Sequence, residues 1–290
     1  MKNKNITTKS FDESDYDRVC DFFVKICDKN TDYINWNWAR FEWMYEHPNF
    51  DKSLINLIRL WLYEDKVVGI AIYDMYLGEG FIFTLDEYDY LYDEILKYAY
   101  DNLSDDNGFS LCVNDDDTNK IKLLESYCFT KTNQDETIME ISLDKPLNYT
   151  IDKDYHIDNL DQDDDRIQWL IFQGFDHGND IEEFLSQKQE IKKRIHFNKE
   201  LSACVFTSDN IPVSCALSWY MNNTDYAYLE PVCTIPKYRH RGFAKSAIYE
   251  SLNNAHKLGA TKAYVISDME FYKKIGFKIK YHYTFYKKSK

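Results

Sequence analysis

The chain has 290 residues, 44% of them hydrophobic and 17% aromatic, with 9 glycines and 5 prolines; this is the composition of a folded protein about two domains long, not of a disordered or fibrous one. No apolar run approaches the roughly 20 residues that span a bilayer, and the polar sequence after Met1-Lys2-Asn3-Lys4-Asn5 lacks the apolar core of a secretion signal, so the expected location is the cytoplasm. A formal net charge of −14 argues against nucleic acid as a partner, because phosphate contacts need a basic surface, and it suits a cationic substrate.

In chain order, the cluster Trp36, Trp38, Phe41, Trp43 and Tyr45 reads as packing, not as a ligand cage. Asp65-Lys66-Val67-Val68-Gly69-Ile70-Ala71-Ile72 puts a polar turn before an alternating apolar segment, which predicts a β-hairpin. Asp86 to Glu94 is a run rich in carboxylates and tyrosines ahead of a helix. Asp115-Asp116-Asp117 reads as a solvated helix start, and Leu123 to Phe129 as a helix end feeding a strand over Thr137–Leu143. Pro146 to Tyr155 interrupts the pattern and marks a join.

Beyond the join, Asp161 to Asp165 is a second acidic helix start, and apolar spacing predicts helices over Asp164–Gly174 and Asp180–Phe197. Leu201–Thr207, Val213–Met221 and Tyr226–Thr234 read as consecutive antiparallel strands. Gly242–Leu258 carries an apolar stripe from Phe243 to Leu258, with Gly259 placed for a left-handed cap. Lys262–Ile266 is a short strand, parallel to its neighbour. Ser267-Asp268-Met269-Glu270 has the spacing of a capping box, Gly276 closes the helix that follows, and a strand over Phe277–Lys288 ends the chain. An exposed final strand would offer an edge to a second copy, so both monomer and homodimer stay open.

Two anchors repeat. Val68 and Val213 occupy like places in two hairpins, an offset of 213 − 68 = 145, and Phe129 and Phe277 end like helices, an offset of 277 − 129 = 148. The chain therefore reads as two copies of one α/β (α+β) fold, each a mixed, mostly antiparallel sheet flanked by helices.

The seven cysteines, Cys20, Cys27, Cys112, Cys128, Cys204, Cys215 and Cys233, form no C-x-x-C pair and lie mostly in apolar surroundings, as reduced core cysteines do. The histidines are scattered, and no metal is expected. The segment that carries chemistry is Thr234-Ile235-Pro236-Lys237-Tyr238-Arg239-His240-Arg241-Gly242-Phe243-Ala244-Lys245. There a strand ends, a turn follows and a helix begins, so unpaired backbone N–H groups converge where the helix dipole is positive and favour a phosphate or pyrophosphate.

Arg239, Gly242 and Ala244 match R/Q-x-x-G-x-G/A, and Phe271-Tyr272 … Gly276-Phe277 matches F-Y-x-x-x-G-F; with the apolar strand before and the long helix between, the segment resembles the GCN5-related N-acetyltransferase (GNAT) family. The resemblance implies tandem GNAT-like domains: 1–148 a degenerate copy without coenzyme A, and 149–290 the catalytic, acyl-CoA-binding copy. It implies that main-chain groups of Val232, Cys233 and Thr234 meet the pantetheine arm of acetyl-CoA. Arg239, His240, Arg241, Gly242, Phe243 and Ala244 would cradle the pyrophosphate, and Lys245 would add charge. Tyr272 would be the general acid. Glu230, in the apolar stretch Ala227 to Val232, is the candidate base, directly or through a water it holds.

The asparagine that the family often places before the Tyr-bearing helix is missing; Ser267 and Asp268 stand there. In the first copy the carboxylates of Asp86 to Glu94 would repel a pyrophosphate, and Leu124 stands where Tyr272 stands in the second. The expected function is acetyl transfer from acetyl-CoA to a primary amine of a small molecule or peptide. The alternative is a non-catalytic acyl-CoA-binding, regulatory or protein-interaction protein.

Overall fold

The computed structural model describes residues 5–28, 33–47, 49–175, 180–187 and 194–290. Contacts divide the chain into two compact units. One comprises Met1–Ile138 with Lys280–Lys290, and the other Met139–Ile279. The division thus falls ten residues before the 148/149 join expected from sequence, and the end of the chain goes with the first unit.

The elements of the first unit are β1 (Thr7–Ser10), α1 (Tyr16–Ile26), α2 (Trp38–Tyr45), β2 (Arg59–Tyr63), β3 (Lys66–Tyr73), β4 (Glu79–Thr84), α3 (Tyr92–Leu103), β5 (Phe109–Asn114), α4 (Thr118–Ser126) and the start of β6 (Thr130–Ser142). The second unit holds the end of β6, then β7 (Tyr155–Asn159), α5 (Asp165–Gly174), α6 (Ile181–Gln187), β8 (Ser202–Thr207), β9 (Pro212–Tyr220), β10 (Tyr226–Thr234), α7 (Phe243–Leu258), β11 (Lys262–Ile266) and α8 (Glu270–Lys274). The last strand, β12 (Lys278–Lys288), returns to the first unit.

Within the first unit the strands run β1-β2-β3-β4-β5-β12-β6. The hairpin expected at Asp65 is present: Glu64 and Asp65 take positive φ of 47° and 61°, the conformation a two-residue turn needs to match strand twist. β4 and β5 are parallel, whereas β12 is antiparallel to β5 from Tyr283↔Asn114 to Lys288↔Phe109. The final strand is therefore paired on both sides within its own unit and is not the exposed edge expected from sequence. Trp36, Trp38, Phe41 and Tyr45 are fully buried, as core packing requires, while Trp43 is half-buried.

In the second unit the order is β6-β11-β10-β9-β8-β7, with β10 antiparallel to β9 and parallel to β11. α7 lays Ala247, Ile248, Leu252 and Ala255 into a core with Val205, Val213, Ala216 and Leu229. Each such aliphatic side chain, fully buried, is worth about 1.5–3 kcal/mol where it is of valine size or larger, which holds the helix start fixed against the sheet. Leu258, the last residue of the expected stripe, is 41% exposed, and Gly259 caps the helix at φ 120°.

Several expected boundaries move. α6 is described only over Ile181–Gln187; residues 188–193 of the expected helix lie outside the described residues, and Arg194 to Asn198 form a turn closed by Phe197 N–H donating to Arg194 C=O. α8 begins at Glu270 with Met269 as its N-cap, so Ser267 makes no capping box. Its hydroxyl accepts from Met269 N–H at 3.1 Å, and the Glu270 carboxylate pairs with Lys273 instead of reaching back.

The two helix exits repeat bond for bond. Cys128 and Gly276 both take left-handed φ, 65° and 99°. Phe129 N–H donates to Leu124 C=O and Phe277 N–H to Tyr272 C=O, each at 3.0 Å; Cys128 and Gly276 donate to Glu125 and Lys273 in the same way. All these pairs share the 148-residue offset, and the equivalence of Leu124 and Tyr272 follows from the hydrogen bonds themselves.

Candidate active site

β10 and β11 are paired only at Tyr226↔Lys262, Ala227↔Ala263 and Tyr228↔Tyr264. Past Tyr228 the register of β10 against β9 breaks between Leu229 and Val232, around Glu230 and the cis peptide before Pro231. Val232, Cys233 and Thr234 then re-pair with Ala216, Cys215 and Ser214 on β9 alone. Beyond its start, the β11-facing edge of β10 is thus unpaired with β11, and main-chain groups there can meet an extended, amide-bearing ligand.

The Cys233 side chain points away from that edge. Its thiol lies 3.6 Å from Leu170 C=O and beside Gly174, where an added Cβ would fall 2.6 Å from the Cys233 Cβ. Gly174 therefore lets the end of α5 seat on β10, and Cys233 can serve a ligand only through its backbone. A thiol so placed is a packing group.

After Thr234 a single 3-10 turn, Pro236–Tyr238, leads into Arg239-His240-Arg241-Gly242 and the start of α7. His240 and Gly242 take φ of 60° and 82°, so the chain doubles back just before the helix. A Cβ built on Gly242 would meet nothing within 4 Å; glycine is required there by the backbone angle, and the space above it is open. Gly242 offers no side chain as a cap, and the first helical bond is Ser246 N–H to Gly242 C=O. The amides of the first turn are those an anion would use.

The cations around this turn divide their work. Arg239 donates to Thr234 C=O at 3.1 Å and to Gly174 C=O at 2.8 Å, bracing the loop against the ends of β10 and α5. Its guanidinium is thus a brace in this arrangement. Arg241 lies over the rings of Tyr155 and Phe243, each at 5.0 Å, and Lys245 over Tyr249 at 5.2 Å; His240 is exposed. Phe243 is buried, and Ala244 half-buried beside it.

Tyr272 is 8% exposed, edge-on to Phe271 and Phe277. Burial, and then the negative charge of Glu230, push its phenol up to about 12, so it stays protonated at neutral pH. Glu230 is half-buried; its carboxylate accepts from the Tyr228 hydroxyl at 2.7 Å, and its carbonyl from Trp219 Nε1–H at 2.8 Å. Tyr228 is buried, so the hydroxyl that holds Glu230 is itself fixed by packing. Tyr228, Trp219 and Gly174 had no signal in the sequence as site residues. Their part comes from cross-strand and helix–strand contacts that spacing does not show.

The first unit has no such turn. Leu85 leads straight into a 3-10 helix, Asp86–Leu91, that runs on into α3, and no described residue from 85 to 92 takes positive φ. Thr84 donates to Asp89 at 2.6 Å, and Trp61 donates to Glu94 at 2.8 Å. Among the described residues no group of three or more His, Cys, Asp or Glu side chains is placed to hold a metal, and no helix is long and apolar enough to cross a membrane.

A sequence profile of the Acetyltransferase (GNAT) family matches residues 164–277, which span the loop, α7 and the Tyr272 helix. This segment belongs to the GNAT family. No curated protein matches the chain in sequence. Among solved structures, a tandem GNAT protein from the clavulanic acid biosynthesis pathway is similar with a TM-score of 0.57 at 9% identity, covering 98% of each chain. A GNAT acetyltransferase from Colwellia psychrerythraea is similar at TM-score 0.56 and 14% identity, covering 99% of this chain and 100% of that one. A GCN5-related N-acetyltransferase from Sphaerobacter thermophilus is similar at 0.54 and 13%, covering 98% and 95%. These whole-chain likenesses concern the fold: the protein is a tandem GNAT fold, with the GNAT sequence signature in its second half.

Proposed function

We propose that the second unit transfers an acetyl group from acetyl-CoA to a primary amine. The observation that carries the reading is the open, uncapped α7 start that follows the part of β10 left unpaired with β11; Glu230 stands at the register break of that strand and Tyr272 is a buried, protonated phenol. Coenzyme A fits the residues present. The turn at Arg239, His240, Arg241, Gly242, Phe243 and Ala244 offers amides and open space to its pyrophosphate, and Lys245 adds charge. Val232, Cys233 and Thr234 offer main-chain groups to its amide-bearing arm.

Glu230 takes a proton from the ammonium of the acceptor, directly or through a water. The free amine attacks the thioester carbonyl and a C–N bond forms; as the tetrahedral intermediate collapses the C–S bond breaks, Tyr272 gives its proton to the departing thiolate, and the second proton lost by the nitrogen restores the phenol through water. Backbone N–H near Val232–Thr234 steadies the oxyanion. The acceptor is a small molecule or peptide bearing an amine, which the −14 charge of the chain attracts when cationic. The first unit, without the turn and with Leu124 at the acid's place, takes no part in the chemistry.

The test is release of free coenzyme A from acetyl-CoA over a panel of amines, repeated with Tyr272→Phe. A loss of about 100-fold in kcat with unchanged acetyl-CoA binding is expected, since a positioned acid supplies on the order of 10²–10⁴. Unchanged turnover in Tyr272→Phe would remove the acid assignment. Acetyl-CoA binding with no turnover on any amine would replace the enzyme by a non-catalytic acyl-CoA-binding protein.

A further inference from the structure

In the first unit β4 and β5 are parallel and paired only at Glu79↔Ser110 and Gly80↔Leu111. Beyond those residues the strands enclose a cavity of about 350 Å³, walled by Phe81 to Phe83 on β4, Leu111 to Asn114 on β5, and the start of α4. The place corresponds to the gap between β10 and β11 in the second unit. It is also where parallel strands present their carboxyl ends, the usual ligand position in α/β sheets.

The chemistry of this wall is the reverse of the pyrophosphate turn. Tyr33, Phe81, Phe83, Tyr92 and Tyr283 supply aromatic rings to the wall, and a ring face carries the negative side of the aromatic quadrupole. One cation already uses them: the Lys120 ammonium lies 4.9 Å from the Tyr33 ring centre and 5.7 Å from that of Tyr92. Lys120 is neutralised by Asp117 at 3.1 Å and is the one cation among the described lining residues. Asp116 adds a second carboxylate at the exposed rim, and the charges of Asp86 and Asp89 reach Tyr33 from the 3-10 turn before α3. Aromatic rings that already hold one ammonium, together with a surplus of carboxylates, make a site for positive charge, and its volume lies at the small end of ligand pockets.

We propose that this cavity binds a small organic ammonium ion with an apolar or aromatic body. It is a second ligand site, separate in chemistry from the acetyl-CoA turn, and the proposal does not depend on acetyl transfer. Duplication has left two like gaps, of which one selects an anion and the other a cation.

The probes are phenethylammonium and 3-phenylpropanoate, similar in shape and opposite in charge. They are titrated into the full chain carrying labelled Ile, Leu and Val methyls. Saturable shifts at Ile82, Leu111 and Val113, which line the cavity, are expected with phenethylammonium, and binding at least about fivefold weaker with the carboxylate. Asp116→Asn, at an exposed position that does not cap α4, should weaken the amine by about threefold. The inference is overturned if the carboxylate binds as well as the amine. It fails equally if the amine shifts only Leu229 and Val232 in the second unit, or if Asp116→Asn leaves the Ile82, Leu111 and Val113 titration unchanged.

Discussion

The two units close the same helix with the same hydrogen bonds yet begin their central helices in opposite ways. At the exits, Cys128 copies Gly276 in backbone angle despite its side chain, and Leu124 copies Tyr272 in its bond to the following Phe. At the starts, His240 and Gly242 turn the chain left-handed and leave α7 uncapped, whereas Asp86–Leu91 winds directly into α3 and fills the approach with carboxylates. The scaffold tolerates either loop. Backbone packing is preserved where it holds the sheet, and the turn before the central helix is the part that differs.

Four variants test this contrast. The largest effect is expected from Gly242→Val: a β-branched residue at φ 82° is strained by about 1–3 kcal/mol, and rotating the turn should raise the acetyl-CoA Kd on the order of tenfold or more. Asp86→Asn with Glu87→Gln should leave acetyl-CoA binding unchanged, because the first unit lacks the turn itself and not only the charge. Calorimetric titration with acetyl-CoA measures both, and a gain of a second acetyl-CoA site in the double variant would undo the contrast.

Next is Tyr228→Phe, which removes the hydrogen bond to Glu230 while keeping the ring. Hydrogen bonds to charged groups are worth about 1.5–3 kcal/mol when buried, and less at the half-buried Glu230, so a fall in kcat of about three- to tenfold with a shifted acid limb of the pH–rate profile is expected. An unshifted profile would make Tyr228 a packing residue only. In the wild type, Tyr272 at about 12 predicts no alkaline limb from this group below about pH 11, because the acid keeps its proton until then.

The smallest effect concerns Glu79 at the head of the first unit's diverging pair. Burial, then the charges of Asp74 and Glu136, raise it to about 7. A raised carboxyl favours the folded state below its unfolded value near 4.5, and that contribution is lost as pH climbs through about 7. Glu79→Gln should therefore stabilise the chain by about 1 kcal/mol at pH 8 and flatten the pH dependence of Tm between pH 5 and 8. Equal pH slopes in variant and wild type would show that Glu79 does not carry the effect.

Much of this was legible in the residues. Local signals settled local structure: alternation gave β8 to β10, the turn residues before Val67 gave the β2–β3 hairpin, and Gly259 gave the end of α7. The turn and the helix end that carries Tyr272 could be read because each depends on a short contiguous segment, Arg239 to Ala244 and Phe271 to Phe277. The capping box at Ser267 misled because the helix start is decided by where α8 packs, not by the four residues alone.

The sequence by itself determined two copies of one fold, the strand–turn–helix that suits an anion, and the loss of that turn in the first copy. These follow from periodicity and backbone preference, which act over a few residues. Only the tertiary structure decided that β12 belongs with the first unit, that Arg239 braces the loop, that Tyr228 holds Glu230, and that the first unit's diverging strands wall a ring-lined, acidic cavity. Each of those joins residues far apart in the chain, and their proximity is set by strand pairing and burial, which no local pattern encodes.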